Sequence, residues 1–523
     1  MPTGGPRTIP QIQFDFQREH PKKKAVREQR RSAVRNAFLH SWAGYRSRAW
    51  GQDELGPING DARNPFGGWG ATLVDSLDTL WIMGLRKEFE EAVTAVRDID
   101  FSKSEIPILN VFETTIRYLG GFLAAYDLSN GTYPVLLQKA VEVADLLYVA
   151  FDTPTRMPVL RWFWEGSRDN RPQDASNVNI LAELGSLSVE FTRLSQLTRD
   201  PKYFDAVQRI TNVLQEHQNG TRLPGMWPLG IDALTPTFTF DRRFTLGAMS
   251  DSLYEYLPKE YMMLGGQMSQ YKEMYEAAME VAKTHLFFRP RTATGEDILI
   301  SGTAFAASKS MIDLKPEGQH LTCFSGGMVA IASKIFSLPK DLEIGRKLTE
   351  GCVWAYRNMP SGIMPEFFTA VPCDQKLHPK CTWTPRLWFH SEKDEKLTSG
   401  ELAKKAREQG LIPGFLKIDN KEYHLRPEAI ESVFILYRIS GDQSLQDKGW
   451  EMFSAIERHT RTQIAYGALA DVTSPTPTIM NEMESFWTGE TLKYFYLLYS
   501  EPDLVSLDEY VFNTEAHPLK RPV

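Results

Sequence analysis

Residues 70–85 read GATLVDSLDTLWIMGL. Leu73, Leu77 and Leu80 recur at helical spacing, the pattern of a helix packed on a core. Asp75 and Asp78 stand inside that apolar pattern. Outward from this stretch, the same periodicity predicts fourteen amphipathic helices, around 34–47, 69–84, 86–98, 111–127, 135–150, 177–197, 202–215, 249–264, 269–286, 325–336, 341–357, 427–439, 446–460 and 484–499. Two-residue alternation is scarce. The runs 235–240 and 298–301 are the best candidates for short hairpin strands. Fourteen helices joined by short loops suit an open solenoid or a closed α/α barrel. A solenoid would repeat its sequence every 30–50 residues or so. No repeat is visible, which favours an all-α barrel of alternating inner and outer helices.

Composition narrows the function. The chain has 523 residues, 42% of them hydrophobic and 24% charged, with a net charge of −7. An acidic chain argues against nucleic acid as a partner. No apolar run approaches the ~18 residues of a membrane span. The opening MPTGGPRTIP lacks the apolar core of a signal peptide. A membrane link is therefore expected only through an anchor missing from this chain. The basic residues Lys22, Lys23, Lys24, Arg27, Arg30 and Arg31 are read as a solvated face rather than a targeting signal. Asn130-Gly-Thr132 and Asn219-Gly-Thr221 are glycosylation sequons in polar turns. Cys323, Cys352, Cys373 and Cys381 show no metal-binding spacing. Two disulfides and free buried thiols remain equally open at this point.

The even-numbered helices are the more apolar and form the expected inner ring. Almost every one carries a misplaced acid: Glu113 with Arg117 on the fourth, Glu183 and Glu190 on the sixth, Asp251 and Glu255 on the eighth, Glu428 and Glu431 on the twelfth, Glu484 and Glu490 on the fourteenth. His320 precedes the tenth. Taken singly, Glu113 or Glu428 reads as a first-turn acid that complements the helix dipole. Taken together, parallel inner helices would gather their N-termini at one mouth. Carboxylates clustered there raise one another's pKa. Such a cluster suits glycoside hydrolysis, and it also suits a hard cation.

Longer motifs separate these readings. The runs DELGPINGDARNPFGGWGATLVDSLDTLWIMGL (53–85), NVFETTIRYLGG (110–121), LAELGSLSVEF (181–191), DSLYEYL (251–257), HLTCF (320–324), LRPEAIESVFILYR (425–438), ESFWTGETLKYFYLLYS (484–500) and FNTEAHP (512–518) resemble the class I α-1,2-mannosidases of glycoside hydrolase family 47. The resemblance covers about 35–518. It implies an (αα)7 barrel with short β-hairpins at one mouth. The expected organisation is an N-terminal extension (1–33), one catalytic barrel (34–518) with an insertion at about 367–424, and a tail (519–523).

The resemblance also implies removal of terminal α-1,2-linked mannose from high-mannose N-glycans, with inversion and a bound Ca2+. Glu113 becomes the candidate acid and Glu428 the candidate base. Asp251 is a third catalytic carboxylate that competes for the acid role, and His320 sits beside the water network. Thr514 is the expected Ca2+ ligand. Asp78, Arg117, Glu183, Glu366, Arg426, Glu431, Phe486, Glu490 and Glu515 are expected to line the sugar site or hold the cation's waters. Cys323 and Cys352 match the family's disulfide and imply an oxidising, secretory compartment; Cys373 and Cys381 are candidates for a second bridge. Met249 stands where some members carry Arg, which points to broader trimming. A monomer is expected. The competing expectation is a glycan-binding quality-control protein without turnover.

Overall fold

The computed structural model describes residues 1–167, 172–374, 380–389, 396–408 and 410–522. Among them, fourteen long helices alternate between an outer and an inner ring. The outer helices are α1 (Pro21–Arg48), α3 (Arg86–Val96), α5 (Pro134–Tyr148), α7 (Lys202–His217), α9 (Ser269–His285), α11 (Pro339–Asn358) and α13 (Ser444–Thr460). The inner ones begin with α2 (Ala71–Asp75 with Leu77–Ile82), α4 (residues 111–128) and α6 (Leu181–Gly185 with Ser188–Thr198). The ring continues with α8 (Asp251–Met263), α10 (His320–Phe324 with Ser325–Ile335), α12 (Glu428–Ser440) and α14 (Trp487–Thr491 with Leu492–Leu498). Successive inner helices touch, and α14 returns to α2, so the ring of seven closes.

The pattern explains the order. Residues 429–439 of α12 are buried on every side, as an inner helix must be. Outer helices bury one stripe only: α3 buries Phe89, Ala92, Val93 and Val96. Gly326 and Gly345 face each other across α10 and α11, where an added Cβ on either would meet the other's carbonyl at 3.0 Å or less. Small side chains let these two helices approach closely.

Short strand pairs lead into the inner helices. Leu109–Asn110 pairs with Arg161–Trp162 ahead of α4, and Asn179–Ile180 pairs with Gly230–Ile231 ahead of α6. Arg243–Thr245, ahead of α8, joins the hairpin Thr303–Ser308/Met311–Lys315. Glu317–Gln319, ahead of α10, pairs with Phe367–Ala370, which pairs with Phe415–Asn420. The last two strands enclose the described part of the 367–424 insertion, including helices Pro385–Trp388 and Ser399–Glu408. Residues 375–379, 390–395 and 409 of that insertion lie outside the described residues.

One further hairpin, Tyr510–Phe512/Pro518–Lys520, closes the barrel axis. Its tip touches most of the ring. Asn513 Nδ2 donates to the Ile116 carbonyl of α4 at 2.9 Å and to Glu190 Oε1 of α6 at 2.7 Å. Lys493 Nζ of α14 donates to the Ala516 carbonyl and to Asp78 Oδ2 of α2, both at 2.8 Å. His517 Nδ1 lies 2.8 Å from Asp78 Oδ2 and its Nε2 3.4 Å from Asp75 Oδ1.

Several expectations need correction. The first helix starts at Pro21, not near 34, because His20 caps it and Pro21 needs no N–H partner. The basic run lies on this helix, where Arg27 is buried and pairs with Glu19 and Glu501. Residues 235–240 form no strand. Asp232 Oδ1 accepts the N–H of Leu234 and of Thr235, which winds the chain into an Asx turn and leaves one bridge, Asp232–Thr237. Only Ile300–Ser301 of 298–301 is extended. Residues 519 and 520 are no free tail but part of the closing hairpin.

Both cysteine pairs are bridged, with Cα separations of 5.9 Å for Cys323–Cys352 and 5.4 Å for Cys373–Cys381. The first spans 29 residues and ties α10 to α11. Replacing Cys323 and Cys352 together with Ser is expected to lower unfolding free energy by about 3–4 kcal/mol in urea titrations, from the loop it closes. Lys493→Met leaves Asp78 buried with its strongest partner gone. A loss of about 3–5 kcal/mol is expected in the same assay, and a loss below 1 would contradict the ionic role of this pair.

Candidate active site

The strand pairs hold the starts of the inner helices at one end of the barrel, and the expected acids meet there. On one side, Glu428 opens α12 and His320 opens α10. His320 is fully buried. Its Nδ1 lies 2.8 Å from Glu428 Oε2 and its Nε2 2.8 Å from the Tyr356 hydroxyl of α11. Burial alone would push the Glu428 carboxyl up. The hydrogen bond and charge of His320, with Arg426 nearby, outweigh it and hold the carboxyl below its ordinary value. Arg426 Nε donates to Glu366 Oε2 at 2.6 Å, and the Glu366 carbonyl accepts the His320 N–H at 3.0 Å. Burial and its neighbours Glu255 and Glu428 push the Asp251 carboxyl, at the first residue of α8, up to about 7.

On the other side, Asn110 caps α4, accepting the N–H of Phe112 and Glu113. Glu113 Oε2 accepts from Arg117 Nε at 2.9 Å. A π-helical turn, Thr115–Leu119, carries Arg117; such turns recur at functional sites. Arg117 Nη1 meets Ser485 Oγ at 2.9 Å, Glu515 Oε1 at 3.0 Å and Asp75 Oδ2 at 3.5 Å. Glu183 is bound by Asn110 and Arg161. The Phe486 ring centre lies 5.9 Å from the Arg117 guanidinium carbon.

The closing hairpin makes the floor. Burial pushes Glu431, Glu490 and Glu515 up, and nearby carboxylates add to it: Glu255 and Glu428 at Glu431, Glu515 and Glu428 at Glu490, Asp75 and Glu113 at Glu515, which reaches about 8. Lys259 of α8 pairs with Glu255 and lies 4.0 Å from Glu431. Thr514 is at the hairpin tip, where its N–H donates to Tyr256 Oη at 3.3 Å.

Two expected site residues stand apart. Asp78 is fully buried with Lys493 and His517. It anchors the hairpin and has no surface to offer a sugar, which corrects its expected place in the lining. Met249 is half-exposed, 51%, on the rim, with φ 74° and its carbonyl accepting the Ala182 N–H. The sequence reading missed Tyr356, Lys259 and Phe66, whose ring centre lies 4.5 Å from the Arg117 guanidinium carbon. Tyr356 lies on an outer helix among other aromatics and carries no mark. Lys259 stands four residues after Glu255, a spacing that does signal an ion pair.

Comparison with known proteins agrees with this geometry. The model of glycosyl hydrolase family 47 matches residues 37–521. The human endoplasmic reticulum mannosyl-oligosaccharide 1,2-alpha-mannosidase is 37% identical, over 94% of this chain and 64% of its own length. The Coccidioides posadasii mannosyl-oligosaccharide alpha-1,2-mannosidase is 34% identical, over 94% of this chain and 91% of its own. The solved alpha-1,2-mannosidase from Trichoderma reesei superposes with a TM-score of 0.82 at 30% identity, covering 94% of this chain and 99% of that one. A family match along nearly the whole barrel, with its acids at one mouth, assigns the chain to glycosyl hydrolase family 47.

Proposed function

We propose that the chain is an exo-acting, inverting α-1,2-mannosidase that trims terminal mannose from high-mannose N-glycans. The observation that carries this reading is the contrast between Glu428, held ionised by His320, and Asp251, pushed up to about 7. A base that keeps its charge and an acid that keeps its proton, close enough to act on one another, are what inverting hydrolysis requires. The hairpin that closes the barrel axis supports exo action, since a chain end, not an internal sugar, suits a barrel closed at one end.

In this mechanism Glu428 takes a proton from the attacking water while His320 and Tyr356 fix its orientation. A proton passes to the departing sugar oxygen from Asp251 or from Glu113. Arg117 holds Glu113, and Phe486 offers the sugar an apolar face. Arg426, Glu366, Glu183, Glu431, Glu490 and Glu515 bind hydroxyls or ordered water. Met249 leaves the rim uncharged and favours broad trimming.

The donor set fits Ca2+. Thr514 precedes Glu515, whose buried carboxyl is pushed up to about 8, and its carbonyl and hydroxyl are hard oxygens suited to such a cation. Among the described residues no three His, Cys, Asp or Glu side chains group into a metal site, so waters and sugar hydroxyls would complete the shell around Thr514. When bound, the cation supplies charge that holds the hydroxyls of a distorted ring. Two disulfides and the endoplasmic reticulum relative support a place in the secretory pathway. No helix among the described residues is long and apolar enough to cross a membrane.

Glu428→Gln is expected to lower kcat on a nine-mannose glycan on the order of 10³-fold, the scale of a lost general base; full activity would remove Glu428 from that role. NMR of the first product should show β-mannose, and α-mannose would contradict inversion. The pH profile of kcat/KM should keep its acid limb below the ordinary glutamate range, near 4.3, and fall as pH rises through about 7, where Asp251 loses its proton. In Asp251→Asn the residual rate should lose that alkaline limb. An unchanged limb would assign proton donation to Glu113.

A further inference from the structure

Behind Arg117 lies a carboxylate that the mechanism does not use. Asp53 is fully buried. Its Oδ2 accepts the N–H of Phe66 at 2.8 Å and of Gly68 at 2.9 Å. Its Oδ1 accepts the N–H of Gly70 at 3.0 Å, the N–H of Ala71 at 3.1 Å and the Tyr118 hydroxyl at 2.9 Å. One side chain thus fastens the 66–71 turn to the start of α2 and to α4. Gly67, Gly68 and Gly70 have φ of 103°, 78° and 75°, and the left-handed winding turns successive N–H groups inward, a nest that suits an acceptor-only group. An amide in its place would push N–H donors into a ring of donors.

The turn delivers Phe66. Its ring centre lies 4.5 Å from the Arg117 guanidinium carbon, a cation–π distance. Arg117 holds Glu113 by a single Nε bond, while Asp75, Glu515 and Ser485 draw its Nη1 the other way. A ring laid on the guanidinium face fixes its plane against that pull. Tyr118, the next residue of α4, is pinned by the same carboxylate.

We propose that Asp53 is a positioning residue for the hydrolysis. Through the 66–71 turn and Tyr118 it holds Phe66 against Arg117, and so fixes the guanidinium that orients Glu113. This rests on the placing of Glu113 in the reactive site above.

The test compares Asp53→Asn, Phe66→Leu and the double variant of the full chain by two readouts. The first is hydrolysis of a nine-mannose glycan. Each single change should lower kcat/KM by about ten- to a hundredfold, the upper figure being the scale of a 1 Å misplacement, and the double should fall no further than Asp53→Asn alone. The second needs no turnover. In a nitrogen–proton spectrum, the Arg117 Nε–H signal, identified by its loss in Arg117→Lys, is displaced by the Phe66 ring current. Both single variants should move it the same way. If the wild-type chain releases no mannose, the proposed function fails and the spectrum still decides this inference. Should Asp53→Asn not fold, Tyr118→Phe removes one donor to Asp53 and should move the same signal less. An Arg117 signal unmoved in these variants, or fold-losses that simply multiply in the double, would overturn the proposal.

Discussion

A carboxylate taken out of water must find a cation, a set of hydrogen-bond donors, or a proton. The axis of this barrel is governed by that demand. Asp75 and Asp78 find His517 and Lys493, Glu113 finds Arg117, Glu366 finds Arg426 and Glu255 finds Lys259. Asp53 finds four backbone N–H groups and a tyrosine. Glu431, Glu490 and Glu515 are left to share too little positive charge, and burial forces them toward the protonated form. Fully paired acids such as Asp75 and Asp78 brace the barrel axis, while Glu431 and Glu490 carry more negative charge than their neighbours offset.

The same demand explains why fold and site coincide. Seven inner helices that run in parallel bring seven sets of free N–H groups to one mouth, which favours acids there before any chemistry is asked of them. Strand pairs ahead of α4, α6, α8 and α10 fix where those helices begin. Glu428 and Asp251 are both first residues of their helices, yet one lies against His320 and the other against further carboxylates. The two are thereby driven in opposite directions, and the proposed acid and base roles rest on that separation.

The sequence displayed the ring plainly, because inner helices are apolar on all sides and a charge inside them stands out. Glu113, Asp251, Glu428 and Glu490 were legible for that reason. What a charge does there was not. Asp78 and Glu431 look alike as acids in apolar helices, and only the structure shows that Asp78 is neutralised by Lys493, over four hundred residues away. Phe66 and Tyr356 were hidden because an aromatic residue near a core has no distinguishing pattern. The strand expected at 235–240 failed on a local contest that Asp232 wins by bonding its own following backbone. The chain's start was misjudged because Pro21 and His20 signal a helix that the basic residues after them obscure.

The closing hairpin has a temporal consequence. Residues 510–520 come after all seven inner helices in chain order, yet they supply the carbonyl that receives Lys493 and the histidine that receives Asp75 and Asp78. Emerging from the ribosome, the earlier helices can dock side by side with most of their central acids already paired, but Asp75 and Asp78 lack His517 until this segment is made. The last ties across the ring therefore form only when the C-terminal hairpin arrives. A nascent chain stalled before residue 510 would lack the Ala516 carbonyl that Lys493 donates to, the Asn513 amide that ties α4 to α6, and His517 beside Asp78.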